Sequence, residues 1–137
     1  VAKCLQRNIL RHTDLAARYG GEEFAILLPN TSENDAFDLA EHIRKTIAYS
    51  PIVMDDGKML SVTASFGIAS LVPSQAEDAT ELLSIADASL YSAKKAGRNC
   101  VQRPSQSWHA SRDELEKKVS SNTHYLRGRT VQSGHKR

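Results

Sequence analysis

The 137-residue sequence has little with which to cross-link itself: two cysteines, Cys4 and Cys100, with no CxxC pair and no histidine beside them at metal-ligand spacing. That excludes a disulfide framework and a zinc centre and fits a reducing compartment. Proline (4) and glycine (7) are too sparse for a collagenous, mucin-like or wholly disordered chain. No run approaches the roughly 18 apolar residues of a membrane span, and no basic-then-apolar stretch resembles a signal peptide. A cytoplasmic location is expected, with any membrane tether supplied by segments outside these residues. What remains is 40% hydrophobic and 25% charged, the composition of one globular domain. A domain of this length buries roughly two thirds of its unfolded surface and needs no staple.

The net charge of +2 conceals an asymmetry. Residues 1–102 carry 10 basic and 13 acidic side chains, whereas residues 103–137 carry 8 and 3. The sequence therefore divides into a domain over 1–102 and a polar, basic tail over 103–137. In the tail Trp108, Leu115, Val119, Tyr125, Leu126 and Val131 are too dispersed to bury much, although Ser111 to Glu114 could cap one short helix. Three acidic residues interrupt the basic run, so a solvated, disordered tail is expected and nucleic acid is not an expected partner.

Within the domain, Val1, Leu5 and Ile9 form a helical stripe. Two apolar segments, from Leu15 and from Glu22, flank Gly20-Gly21 and predict a β-hairpin. Ser32 and Asp35 resemble a capping box for a helix with Phe37, Ala40, Ile43 and Ile47 inward, ending before Pro51. After the Asp55-Asp56-Gly57 turn signal, Leu60, Val62, Ala64, Phe66 and Ile68 alternate with small polar residues, predicting a strand with one buried face. A further helix is expected from about Ala79 to Ala96, with Leu83, Ala86, Leu90 and Ala93 inward and Gly97 as its cap. A short strand, Arg98 to Gln102, follows. This order predicts an α+β (α/β-like) fold, a mixed central sheet with packed helices.

Three constellations carry possible chemistry. Glu22 and Glu23 sit side by side behind a glycine pair, a turn suited to a cation and to a phosphate approaching backbone N–H groups. The ordinary alternative is a solvated turn with two surface glutamates. Lys94, Lys95 and Arg98 cluster at a helix end, where the helix dipole alone accounts for lysines but not for Arg98, which lies past the cap. If the strand after Gly97 runs beside the hairpin, these cations reach a phosphate at Gly20-Gly21. Arg11 and Asp14 are separated by three positions and read on their own as a surface pair. The five histidines are scattered, and no nucleophile elbow is present.

The stretch Arg18-Tyr-Gly-Gly-Glu-Glu-Phe24 resembles the signature of the diguanylate cyclase family, the GGDEF domain, in its GGEEF form. The resemblance extends to Ala40-Glu-His-Ile-Arg44, to Val62-Thr-Ala-Ser-Phe-Gly-Ile68, to Ala86-Asp-Ala-Ser-Leu-Tyr-Ser-Ala-Lys94 and to Ala96-Gly-Arg-Asn99, and it covers about residues 1–102. It implies a palm-like nucleotide-cyclase fold and the condensation of two GTP molecules, held on two facing domains of a homodimer, into cyclic di-GMP and pyrophosphate. Mg2+ or Mn2+ is the implied cofactor. By the match, Glu22 is a metal ligand and the proton acceptor, Glu23 a further metal ligand, Gly20 and Gly21 the phosphate-facing backbone, and Lys94 and Arg98 the triphosphate cations. Arg11 and Asp14 fall on the family's RxxD product-inhibition site. Where a second product-binding arginine is frequent, this sequence has His42, which implies weaker or pH-dependent product binding.

The resemblance also implies that the family's opening strand lies upstream of Val1, together with its metal-binding aspartate, the lysine after it and the guanine-holding Asn and Asp. The chain is then expected to be the C-terminal portion of an N-terminally truncated domain, inactive alone, with adjoining strands left unpaired. An upstream sensory or receiver domain is the implied regulatory partner. The rival readings are a non-catalytic cyclic di-GMP receptor and a dimerising signalling module. Against a receptor stands the presence of Glu22, Glu23, Lys94 and Arg98, which binding alone does not need.

Overall fold

A computed structural model describes residues 1–9, 11–71, 78–105 and 129–136. Helix α1 (Ala2–Asn8) leads to the hairpin β1 (Leu15–Gly20) and β2 (Glu23–Pro29), then to α2 (Glu33–Tyr49). A small two-stranded ribbon, β3 (Ile52–Val53) and β4 (Met59–Leu60), precedes β5 (Ala64–Leu71), α3 (Asp78–Lys95), β6 (Val101–Gln102) and β7 (Arg129–Lys136). Five strands form one mixed sheet in the order β1-β2-β7-β5-β6, antiparallel except for the β5–β6 pair.

The helices take opposite faces of this sheet, giving three layers. Ser32 caps α2 as predicted: its Oγ accepts from the Asp35 backbone N–H at 3.1 Å and donates to the Asp35 carboxylate at 2.6 Å. Ala36, Ala40, Ile43 and Ile47 then fall on one stripe and pack with Leu5 of α1 on Ile26, Leu28, Ala64, Phe66 and Ile68. On the other face, Leu82 and Ala86 of α3 meet Ala69 and Leu71. Leu82 rather than Leu83 is buried, together with Ala86, Leu90 and Ala93 as expected, in a helix that begins at Asp78.

The strand expected from Leu60 onward is two elements. Leu60 belongs to the exposed β3–β4 ribbon, and β5 starts at Ala64. Nor is one face of β5 solvated: every residue from Ala64 to Ala69 is buried. Its small residues are the cause. At Gly67 a Cβ would lie 2.1 Å from the Leu90 backbone nitrogen and 2.2 Å from the Ala86 carbonyl oxygen, so the missing side chain lets α3 lie directly on the strand.

Two further expectations are corrected here. The short strand after Gly97 pairs with β5, Phe66 opposite Val101, and therefore lies on the sheet edge remote from the hairpin. The solvated tail does not extend over residues 129–136, which form β7, paired residue for residue with β2 and with β5. The inner edges of β2 and β5 are thus hydrogen-bonded rather than open, because this late segment occupies the gap between them. The helix cap suggested at Ser111–Glu114 lies outside the described residues.

Candidate active site

The glycine pair ends β1 and turns the chain into β2. Gly20 lies opposite Glu23, a register irregularity falls between Arg18 and Gly20, and Gly21 has φ +52°, a left-handed conformation that glycine enters without steric cost. Nothing lies within 4 Å of where a Cβ would stand on either glycine. Backbone conformation and an open approach, not crowding, are what the pair provides. Arg18 fixes the turn by donating from Nε (2.8 Å) and Nη2 (2.5 Å) to the Gly21 carbonyl. The sequence reading missed this residue; an arginine two positions before a glycine pair was the available signal.

Glu22 is exposed at the tip, and Glu23 is half-buried as the first residue of β2. Although β6 runs elsewhere, α3 crosses the sheet so that its last turn meets β2, and Lys94 Nζ lies 3.6 Å from Glu23 Oε1. One of the hairpin carboxylates, Glu23, and one of the predicted cations are thus brought together. Lys95 points elsewhere, its ammonium 4.6 Å from the Tyr91 ring centre, which is the helix-surface role expected of a last-turn lysine. Arg98 sits in the turn after α3, in a run of three left-handed residues: Gly97 at φ +106°, Arg98 at +62° and Asn99 at +45°.

Asp87 is a member of this cluster that the sequence reading did not single out. Its carboxyl is held above the usual aspartate value, first by burial and then by the negative charge of Glu23, with Lys94 opposing. The signal was its position seven residues before Lys94, two turns back on the same side of α3. Two carboxylates, Glu23 and Asp87, and the Lys94 ammonium therefore share one electrostatic neighbourhood. Among the described residues no three acidic, histidine or cysteine side chains converge as a ready metal cage. Glu22 and Glu23 are nonetheless adjacent hard oxygen donors, the kind of ligand of which a divalent cation such as Mg2+ commonly takes one or two, filling its shell with water and substrate phosphate.

Arg11 and Asp14 lie at the opposite end of β1, about 20 Å from the glycine tip at strand spacing. Arg11 Nε donates to Asp14 Oδ2 at 3.0 Å, and its Nη2 lies 2.9 Å from Oδ1 and donates to Thr31 Oγ1 at 2.5 Å. Asp14 is almost wholly buried while Arg11 keeps half of its side chain exposed. His42 is exposed on α2. No helix among the described residues is long and apolar enough to cross a membrane.

With this geometry in place, comparison with known proteins is informative. Residues 1–100 match the family described as "Diguanylate cyclase, GGDEF domain". The chain is 50% identical over 95 residues to the "Uncharacterized protein YhcK" of Bacillus subtilis, covering 69% of this chain and 26% of that protein. It is 45% identical over 101 residues to "Diguanylate cyclase A" of Treponema denticola, covering 74% and 26%. With the "Response regulator PleD" of Caulobacter vibrioides it shares 42% over 93 residues, covering 67% and 20%. The chain thus spans between 20% and 26% of the length of these relatives. Among solved structures, the active GGEEF domain of a diguanylate cyclase from Vibrio cholerae superposes with a TM-score of 0.65 at 35% identity, over 77% of this chain and 64% of that one.

Proposed function

Since the chain belongs to the diguanylate cyclase GGDEF family, we propose that the protein carrying it condenses two GTP molecules into cyclic di-GMP. The observation that bears most weight is the contact between Lys94 and Glu23, which joins the carboxylate-bearing hairpin tip to the cationic end of α3. Phosphoryl transfer needs both charges within reach of one another, carboxylates toward a metal and cations toward the leaving group. Because the chain spans only part of its relatives, the activity is proposed for the whole protein.

In this reading the open backbone at Gly20 and Gly21 receives the triphosphate, and Lys94 and Arg98 neutralise the departing pyrophosphate. Glu22 and Glu23 would hold Mg2+ or Mn2+, which when bound supplies charge stabilisation along the line of displacement. Glu22 accepts the proton of a GTP 3′-hydroxyl as its oxygen forms a bond to the α-phosphorus of the opposite GTP, breaking the bond to the β-phosphate oxygen. Two such transfers, one on each of two facing domains, close the ring and release two pyrophosphates.

Glu22→Gln in the full-length protein is expected to lower turnover of GTP with Mg2+ or Mn2+ on the order of 10²-fold or more, with the circular dichroism spectrum unchanged. Near-normal turnover removes Glu22 from the chemistry. Arg11 and Asp14 are proposed as the product-inhibition site: a planar guanidinium, already oriented by Asp14 and Thr31, suits a guanine edge or phosphate. Arg11→Ala should leave the initial rate unchanged and shift the cyclic di-GMP inhibition curve to higher concentration. An unshifted curve returns Arg11 and Asp14 to a surface ion pair.

A further inference from the structure

The turn that carries Arg98 is held in a conformation its own residues disfavour, and the side chain that reaches across the fold to hold it is Arg44. Arg98 and Asn99 are left-handed without being glycine, a conformation that L side chains adopt rarely and that persists where neighbouring contacts offset its cost. On the helix side the Arg98 backbone N–H donates to the Ala93 carbonyl at 3.1 Å. On the sheet side the Asn99 backbone N–H donates to Oγ of the buried Ser65 at 3.0 Å. The Asn99 side chain is the third anchor, since its Oδ1 accepts from Arg44 Nη1 at 2.9 Å.

Arg44 is suited to that task because it is itself immobilised. Its Nε and Nη2 donate to the two carboxylate oxygens of Glu41, each at 3.0 Å, one turn back on α2. This fork-to-fork geometry fixes the guanidinium plane and leaves Nη1 directed at Asn99. Only 16% of the Arg44 side chain is exposed, which leaves it little room to serve as a ligand contact of its own.

We propose that Arg44 is a positioning residue that, through Asn99, holds the left-handed turn in the conformation from which Arg98 meets phosphate. The inference rests on the reading of Arg98 as a phosphate cation, and its test separates the two. Isothermal titration of Mg2+-pyrophosphate into the full-length protein is the measurement, with urea unfolding recorded on each variant. Arg98→Ala weakens binding about tenfold, the worth of one charge-assisted contact. Arg44→Ala weakens it several-fold, and Arg44→Lys fails to restore it, because a single ammonium cannot grip Glu41 at two points and still reach Asn99. The double variant Arg44→Ala/Arg98→Ala binds no more weakly than Arg98→Ala alone. Should Arg44→Ala not fold, Asn99→Ala removes the acceptor while leaving the Arg44–Glu41 pair, and is expected to weaken binding to the same extent.

Additive losses in the double variant, or tight binding by Arg44→Ala and Asn99→Ala alongside weakened Arg98→Ala, overturn the role of Arg44 and leave the phosphate site standing. If the unaltered full-length protein does not bind pyrophosphate, or Arg98→Ala binds as the unaltered protein does, the phosphate reading of Arg98 falls and the positioning role falls with it.

Discussion

Strands β5 and β7 lie side by side in the sheet and could hardly differ more in how they are held. Ala64 to Leu71 is buried on both faces, with Phe66 and Ile68 in the α2 layer and the gap above Gly67 filled by the backbone of α3. Arg129 to Lys136 reads RTVQSGHK, with a single aliphatic residue, and is held by paired backbone on both flanks. A strand enclosed on both sides ordinarily shows a nearly continuous hydrophobic run. The family match ends at residue 100, so β5 belongs to the matched portion and β7 to residues beyond it. The same sheet thus joins a strand of buried small and apolar residues to one of polar sequence that is paired along its length on both sides.

The contrast is broken or sharpened by three substitutions of decreasing effect. Gly67→Ala should be the most damaging, about 3 kcal/mol or more in urea unfolding, because the new Cβ would meet backbone rather than a side chain able to move aside. A variant as stable as the parent would mean that α3 does not rest on β5. Gln132→Pro, in the middle of β7 opposite Ile26 and Ile68, removes a ladder donor and should cost roughly 2 kcal/mol. An unchanged urea midpoint would show that β7 contributes nothing to the sheet. A disulfide between cysteines placed at the paired positions Ala25 and Ser133, in a background lacking Cys4 and Cys100, would report that register directly.

The smallest effect is expected on the outward side of α3. The Asp87 carboxyl is raised by burial and by Glu23, so the folded state binds its proton more tightly than the unfolded chain does. Its protonated form favours folding at low pH, and that contribution fades as pH rises from the ordinary aspartate range through the raised value. Asp87→Asn should therefore flatten this part of the stability–pH curve and slightly raise the melting temperature near neutrality. A curve of unchanged slope would show that Asp87 titrates as a free aspartate.

Much of the fold was legible because its signals are local. The glycine pair marks the hairpin, Ser32 and Asp35 mark the start of α2, and Ala40, Ile43 and Ile47 mark its inner stripe. Glu22 and Glu23 stand out as paired carboxylates on the same local ground, but spacing alone reads them equally as a solvated turn and Arg11 with Asp14 as a surface pair; the roles expected of them rest on the family resemblance. What escaped depends on partners distant in sequence. Nothing in RTVQSGHK announces a central strand, since its pairing is imposed by β2 and β5 on either side. The double burial of β5 depends on where α3 lies, and a run of Ala, Ser and Gly reads from sequence as a solvated face. Arg44 and Asn99 are 55 positions apart, and neither motif names the other.

The pairing of Lys94 with Glu23 has a thermodynamic consequence. The ammonium stands against an oxygen that a divalent cation would claim, and it is also a group that phosphate would draw away. A cation taking Glu23 would release Lys94 toward phosphate, and phosphate engaging Lys94 would return Glu23 to the cation. In the reading proposed above, each ligand would raise the affinity for the other by one and the same factor, as reciprocity between linked sites demands. Metal and polyphosphate offered together would bind more tightly than either offered alone.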